Sequence, residues 1–170
     1  MQNENNRARK IKKLVEEIIE PSINKIIRFR QINHIPHTYI KDILDIFFPK
    51  TKHIDKKKGF FKNVYIIHSK SRKYVLKEGK RKDIRKDIRK DYTTYLKLCK
   101  KGGKRYFAKI YWRSKGGRFI LQKYGEDVKV PERELIRLKL IGKEYGLKDV
   151  REANIMKFDK KFKIVDAERV

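Results

Sequence analysis

The sequence predicts an α+β protein with an antiparallel sheet, and this prediction depends on the order of its helical and strand-like patterns. Three helical patterns come first along the chain, followed by a hairpin, a helix, a second hairpin, another helix and a final hairpin. A parallel sheet requires strands that alternate regularly with helices, and this order lacks that alternation. We therefore expect antiparallel strands with helices packed against them.

Residues 1–49 are predicted to form a helical extension, because apolar residues recur there at helical spacing. The predicted helices span 7–20, 22–29 and 38–47. Pro21 is expected to interrupt the first pattern, and Pro49 is expected to end the third. Ser22 and Thr38 are candidate N-caps, because a hydroxyl oxygen can accept a hydrogen bond from the first helical turn.

The rest of the chain, 50–170, is predicted to form one domain built on hairpins. The predicted strands span 60–68, 74–77, 106–113 and 118–123, with a strand, turn and strand over 154–165. Residues 80–100 are predicted to be helical up to Gly102, and a further helix is predicted between Pro131 and Gly146. Residues 50–58 form a basic run without a strand pattern.

The charge of the chain narrows the choice of partners. It has 48 Lys and Arg residues against 21 Asp and Glu residues, a net charge of +27. Such a field favours nucleotides, nucleic acids or acidic protein surfaces. The single cysteine excludes an internal disulfide and, with four scattered histidines, argues against a structural zinc site. Because the apolar stretches are short, we expect no membrane span and a cytoplasmic location.

The candidate chemistry lies near the C-terminus. Residues 147–156 read Leu-Lys-Asp-Val-Arg-Glu-Ala-Asn-Ile-Met, with Asn154 five positions after Asp149. Asp166 follows twelve positions after Asn154, within Ile-Val-Asp-Ala-Glu. Phosphoryl transfer needs oxygen ligands for magnesium and a carboxylate that orients the acceptor hydroxyl, and these side chains can supply both.

Two upstream motifs complete a resemblance to protein kinases. Tyr-Val-Leu-Lys, ending at Lys77, is similar to the kinase strand that carries the phosphate-pairing lysine, and Gly59 and Val64 are similar to the glycine-rich loop. Residues 147–154 are similar to the kinase catalytic loop. The chain therefore resembles the protein-kinase-like superfamily over about two-thirds of its length, most closely its minimal Rio-like and lipopolysaccharide-kinase-like serine/threonine kinases.

The resemblance implies a protein-kinase-like two-lobed fold, with an antiparallel N-lobe sheet over about 50–122 and a strongly reduced C-lobe over 123–170. It also implies ATP and Mg²⁺ as cofactors. Lys77 would hold the phosphates, Asp149 would orient the acceptor hydroxyl, and Asn154 and Asp166 would ligate magnesium. The remaining nucleotide-binding candidates are Gly59, Val64, Val75, Asp91, Gln122, Tyr124 and Met156. Among these, Asp91 would pair with Lys77, and Gln122 and Tyr124 would lie in the hinge.

This sequence departs from the kinase pattern in several places. Lys57 and Lys62 stand where the family has its first and third loop glycines, and Leu147 and Lys148 replace the His and Arg of the catalytic loop. The metal-binding motif ends in Ala167-Glu168 instead of Phe-Gly.

Three functions are compatible with this pattern. The first is ATP- and Mg²⁺-dependent phosphoryl transfer to a hydroxyl, with Ser or Thr of an unknown protein as the expected acceptor. The alternative is a catalytically inactive module whose basic surface, around 50–58 and 80–90, binds nucleic acid or an acidic partner. The third, a small-molecule kinase, is suggested by the Asp-Ala-Glu motif at Asp166 alone.

Overall fold

The fold combines helices with a five-stranded antiparallel sheet and a separate two-stranded hairpin, which confirms the α+β prediction. The computed structural model describes residues 2–30, 35–54, 62–79, 82–148 and 150–165. The chain divides into two compact units. Their bounds are Met1–Ile88 with Tyr111–Gln122, and Arg89–Ile110 with Lys123–Val170. Within the described ranges, no helix is both long and apolar enough to cross a bilayer.

The first helical stretch runs through Pro21, so the predicted break there is wrong. Helix α1 (Gln2–Leu14) passes into a π-helical turn, Val15–Ile19, which leads directly into α2 (Glu20–Arg30). In a regular α-helix the ring of Pro21 would clash with the carbonyl four residues before it. The wider π turn, in which the Glu20 N–H donates to the Val15 carbonyl, lies immediately before the proline and provides the extra space.

Helix α3 (His37–Phe47) ends before Pro49, as the sequence predicts. Neither predicted hydroxyl cap is used, because Pro36 precedes α3 without a side-chain cap and Ser22 lies inside α2. The end of α3 is instead tied to the following strand. The Thr51 N–H donates to Asp45 Oδ1 at 3.0 Å, and the Thr51 hydroxyl donates to the Phe48 carbonyl at 2.8 Å.

The five-stranded sheet has the order β1-β2-β3-β5-β4. Its strands are β1 (Lys52–Ile54), β2 (Lys62–Ser69), β3 (Arg72–Gly79), β4 (Ile110–Arg113) and β5 (Phe119–Lys123). Strands β2 and β3 form the predicted hairpin, with Ser69 paired to Arg72 beside the turn. Strand β1 lies in the basic run that showed no strand pattern. It forms because its backbone pairs with β2, which does not require apolar alternation along β1 itself.

One face of this sheet is covered by the N-terminal helices, and we call it the helix-covered face. Side chains from β2, β3 and β5 that point to this face are almost completely buried among apolar residues of α1, α2 and α3. The sheet side chains are Tyr65, Ile67, Tyr74, Leu76, Phe119 and Leu121. Burial of a large apolar side chain contributes about 1.5–3 kcal/mol, so this layer is the main apolar core of the first unit.

The second unit has its own core. It contains α5 (Glu132–Glu144) and the hairpin of β6 (Ile155–Phe158) and β7 (Lys161–Ile164), as the sequence predicts.

Helix α4 (Lys82–Lys100) also matches its prediction and ends before Gly102, whose φ of 83° suits glycine. Residues 106–109 do not continue β4, which is therefore shorter than predicted.

A buried ion pair joins β3 to the beginning of β5. Glu78 Oε1 accepts hydrogen bonds from Arg118 Nε at 3.0 Å and Nη2 at 2.8 Å, and the two side chains are 1% and 4% exposed. Glu78 Oε2 accepts from Asn63 Nδ2 at 2.9 Å and from the Tyr65 hydroxyl at 3.4 Å. Burial, followed by the charge of Glu78, raises the pKa of Tyr65, so this hydroxyl keeps its proton and can donate.

The Arg118 cation is only partly compensated by Glu78. Its Nη1 atom is buried and has no hydrogen-bond partner among the described residues. Burial raises the pKa of a second acid, Glu20 of α2, and outweighs both a hydrogen bond with Ser114 and the charge of Arg118, which lower it. The network therefore relies on the Glu78 carboxylate to stabilise a buried guanidinium.

We predict that Glu78→Gln lowers the free energy of unfolding by about 3–5 kcal/mol, because it leaves the Arg118 charge buried without its counter-ion. Urea unfolding followed by the fluorescence of Trp112, the single tryptophan, measures this effect in the first unit. Glu17→Gln is the matched control, since Glu17 forms an exposed pair with Lys13 worth under about 1 kcal/mol. Equal losses in the two variants would contradict the prediction.

Candidate functional site

Lys77 lies on the face of the sheet opposite to the helix-covered face. In the β2–β3 register, Val64 pairs with Lys77 and Ile66 pairs with Val75. Directly paired residues of antiparallel strands point to the same face, so these four side chains are neighbours. We call this surface the Lys77 face. Three predicted nucleotide-binding residues, Val64, Val75 and Lys77, therefore come together on it, each half-buried.

Gln122 belongs to the same face. On β5, Phe119 and Leu121 are buried in the helix-covered layer, so alternation directs Ile120 and Gln122 to the other side. Both are 4% exposed. Because β5 lies next to β3 in the sheet, Gln122 and Lys77 share a face on neighbouring strands.

In the second unit, Asn154 lies at the base of the β6–β7 hairpin. It ends a short 3-10 turn, Glu152–Asn154, and its carbonyl accepts a hydrogen bond from the Val165 N–H at 2.9 Å. The next pair along the hairpin is Ile155 with Ile164, and both are buried. Of the two predicted magnesium ligands, the structure therefore places Asn154, whereas Asp166 falls outside the described residues.

The segment that precedes Asn154 is held by apolar anchors and by one carboxylate. Leu147 and Val150 are buried in the core of the second unit, on either side of Lys148 and Asp149. Glu152 Oε1 accepts from the Val130 N–H at 3.1 Å, which ties this segment to the chain two residues before α5 begins at Glu132. Asp149 itself lies outside the described residues.

Glycine 142 of α5 allows this segment to approach the helix closely. A Cβ atom there would lie 2.4 Å from Val150 Cγ2, and the Gly142 carbonyl accepts from the Leu147 N–H at 2.8 Å. Any larger residue would displace Val150. The positions of Leu147 and Val150 are therefore fixed by packing against α5.

The two residues that follow the predicted hinge residue Tyr124 lie beside the strand that carries Met156. Glu126 and Lys157 form an antiparallel bridge, with N–H to carbonyl distances of 2.8 and 2.9 Å. Gly125 packs so tightly that a Cβ atom would lie 2.7 Å from Met156 Cβ and 2.6 Å from Phe158 Cζ. The chain after β5 and strand β6 are thereby held in contact.

A cationic side chain lies opposite Met156 in the hairpin. Lys163 pairs with Met156 in the β6–β7 register. Burial lowers the pKa of Lys163, and the charges of Lys123 and Lys161 lower it further. This repulsion among lysines marks a positive potential beside Met156, which an anionic ligand would relieve.

The remaining predicted residues can be placed only in part. Asp91 is half-buried on α4, within the second unit, as are Tyr124, Asn154 and Met156. Gly59 lies outside the described residues, between the end of β1 and the start of β2. No cluster of three or more His, Cys, Asp or Glu side chains able to hold a metal occurs in the described ranges, which include neither Asp149 nor Asp166. The roles given to these residues stay predictions.

Comparisons with known proteins add a distant structural similarity. No protein-family model matches the sequence, and no curated protein matches it. A solved structure described as the streptomycin-ATP-APH(2")-IIa ternary complex is similar to this chain with a TM-score of 0.38 and 19% sequence identity. The similarity covers 61% of this chain and 36% of that chain, so the present chain spans little more than a third of that structure.

Sequence reasoning missed the buried acid next to Lys77. Glu78 continues a strand of strict alternation, and alternation alone places it among Tyr74 and Leu76 on the helix-covered face. A carboxylate at a buried position needs a buried counter-charge. An acid at an inward position of an apolar strand is therefore a sequence signal for a buried ion pair. Its partner Arg118 could not be identified from the sequence, because 48 basic residues offer too many choices.

We predict that Gly125→Ala lowers the free energy of unfolding by about 1–3 kcal/mol, because the new methyl group would overlap Met156 and Phe158. Gly116→Ala is the matched control, since the nearest atom to its Cβ would be Glu20 Oε1 at 3.9 Å. Urea unfolding followed by far-ultraviolet circular dichroism compares the two variants. Similar unfolding midpoints for both would show that the contact at Gly125 is not tight.

Proposed function

We propose that this protein transfers a phosphoryl group from ATP to a hydroxyl, in a Mg²⁺-dependent reaction. The observation that carries the proposal is the β2–β3 register, which sets Lys77 opposite Val64 on the face away from the N-terminal helices. An ammonium group flanked by apolar side chains suits a ligand with a phosphate chain and a flat apolar ring. The glycine-loop, strand-lysine and catalytic-loop motifs come in the kinase order along the chain.

The proposal gives each residue a role that its chemistry allows. The Lys77 ammonium holds the α- and β-phosphates, with Asp91 as its carboxylate partner. Asn154 and Asp166 offer oxygen atoms, which are the donors that Mg²⁺ prefers, and the bound metal neutralises charge on the phosphates. Asp149 orients the acceptor hydroxyl and accepts its proton.

The adenine is assigned to apolar side chains and to the backbone of the hinge. Val64, Val75 and Met156 are half-buried and can pack against the two faces of a purine ring. Gln122 and Tyr124, at and after the end of β5, belong to the segment whose backbone would contact the adenine edge. Gly59 is assigned to the loop over the phosphates.

The proposed acceptor is a serine or threonine of a protein with acidic surroundings. Its support is the net charge of +27, which attracts acidic substrates and repels basic ones. A small-molecule acceptor is the competing choice within the same reaction, and it rests on the Asp-Ala-Glu motif.

A second candidate function is a catalytically inactive module that binds nucleic acid or an acidic partner. The excess of basic residues favours it, as do Lys57 and Lys62 in place of two loop glycines. Such binding would need no nucleotide and would weaken steeply as salt is raised. This behaviour separates the second candidate from the first.

We predict that incubation with γ-labelled ATP and Mg²⁺ labels either the protein itself or dephosphorylated casein. Lys77→Met and Asp166→Asn should each reduce the initial rate on the order of 100-fold or more, because each removes charge stabilisation at the transferred group.

Two substitutions of the same kind serve as controls for these variants. Lys73→Met changes an exposed lysine of β3, and Asp159→Asn changes an acid that is 87% exposed, in the turn between β6 and β7. Both should keep at least half of the wild-type rate. Absence of any transfer, with wild-type protein still binding RNA in a salt-sensitive manner, would favour the second candidate. Equal losses in the controls would show that the assigned residues have no special role.

A further inference from the structure

A groove of about 810 Å³ lies in the first unit. It runs between α1 with its π turn on one side, and the end of α3 with the β2–β3 turn on the other. All of the residues that line it are described, and none belongs to the candidate catalytic set. The function proposed above therefore does not account for it.

The floor of the groove is apolar. It is formed by Leu14 and Ile18 from the first helical stretch, and by Phe47, Phe48 and Pro49 at the end of α3. Leu14 and Phe48 contribute to the core below, whereas Ile18 is 40% exposed and Phe47 is 51% exposed. Large apolar side chains that are exposed next to one another, such as Ile18 and Phe47, indicate a surface that a partner covers.

The rim of the groove is cationic. Arg7, Lys10 and Lys13 follow one another at intervals of three residues along α1, and Lys70 faces them from the β2–β3 turn. Arg7 is held in place because its Nη1 donates to the Ser69 carbonyl at 3.3 Å. The one acid in the lining, Glu17, cancels only one of these four charges.

The surroundings add further positive charge. His68 also lines the groove, and its pKa is lowered first by burial and then by Lys73, Lys52 and Lys50. Its imidazole is therefore neutral near pH 7, and the lysines that cause this effect extend the positive field beyond the rim.

We propose that this groove binds an acidic amphipathic peptide segment of another protein. The apolar side chains of the peptide would cover Ile18 and Phe47, and its carboxylates would contact the cationic rim. An amphipathic helix that lays its apolar face into a groove is a common mode of peptide recognition. The positive charges around the floor favour a negatively charged peptide over a positively charged one.

Two other occupants fit less well. A second copy of this chain carries the same net charge of +27, so the two surfaces would repel each other. A single-stranded nucleic acid would use successive aromatic platforms for its bases, whereas Phe47 is the one strongly exposed ring among the described lining residues. The aliphatic part of the floor matches leucine-like side chains better than bases.

The test uses fluorescence anisotropy with the full chain and three labelled probes. The first is a helical peptide of roughly 16 residues, or four turns, with leucine on one face and glutamate on the other. The second has the same composition in scrambled order, and the third is a single-stranded RNA. We expect the amphipathic peptide to bind at least about tenfold more tightly than the scrambled one, because only the ordered face fits the floor.

Neighbouring residues provide matched variants. Phe47→Ser and Lys10→Glu alter the groove, whereas Ile46→Ser and Arg9→Glu alter exposed positions next to them that do not line it. The groove variants should weaken peptide binding about tenfold or more, and the neighbours should change it less than threefold. All four positions are exposed, so circular dichroism should show intact folding.

Four outcomes would overturn the proposal. Equal affinity for the scrambled peptide would mean that binding is unspecific charge attraction. Equal effects of Lys10→Glu and Arg9→Glu would mean that the overall positive charge of the protein, and not the groove, is responsible for binding. RNA binding that depends on Phe47 and Lys10, without peptide binding, would replace the proposed occupant by nucleic acid. Absence of binding by all three probes would leave the groove without a partner of this chemistry.

Discussion

The two-residue period of β3 decides which side chains of this strand are buried under the helices and which lie on the Lys77 face. Lys77 and Glu78 are neighbours in the sequence, yet the strand directs one to the Lys77 face and the other into the buried layer under the helices. A slip of one residue would exchange the faces, burying the lysine and exposing Leu76. The apolar contacts made by Tyr74 and Leu76 therefore fix the orientation of Lys77.

The N-terminal helices contribute to this arrangement because they cover a sheet face that would otherwise be open. Their apolar residues share one cluster with β2, β3 and β5, and polar contacts reinforce the layer. The indole of Trp112 donates to Glu16 at 3.0 Å, and the guanidinium of Arg72 pairs with Glu4 at 2.6 Å. The helices and the sheet thus share one packed layer, and Glu78 and Arg118 are the fully buried charged residues among those that the structure describes.

Local sequence patterns predicted the individual helices and hairpins better than the connections and strand pairings between them. Periodicity identified α4, α5 and the β6–β7 hairpin, because each carries its own signal in consecutive residues. Strand β1 was missed because it depends on a partner strand. The passage through Pro21 was missed because a π turn leaves no sequence signature. For the candidate site, the resemblance to kinases grouped Val64, Val75 and Lys77, and the β2–β3 register then showed that they share a face. The Gly125 contact with Met156 depends on tertiary packing that spacing does not encode.

The π turn at Val15–Ile19 also sets the helical phase of everything before it. Each residue in a helix advances the side chains by about 100°, so a turn that holds one extra residue offsets α1 from α2 by that angle. With this offset, Ile11 and Ile23 both reach the same apolar layer. Removal of one residue from the turn would restore regular winding but would rotate Ala8 and Ile11 away from the sheet and bring charged neighbours inward. The number of residues in this turn therefore determines which side of α1 faces the sheet.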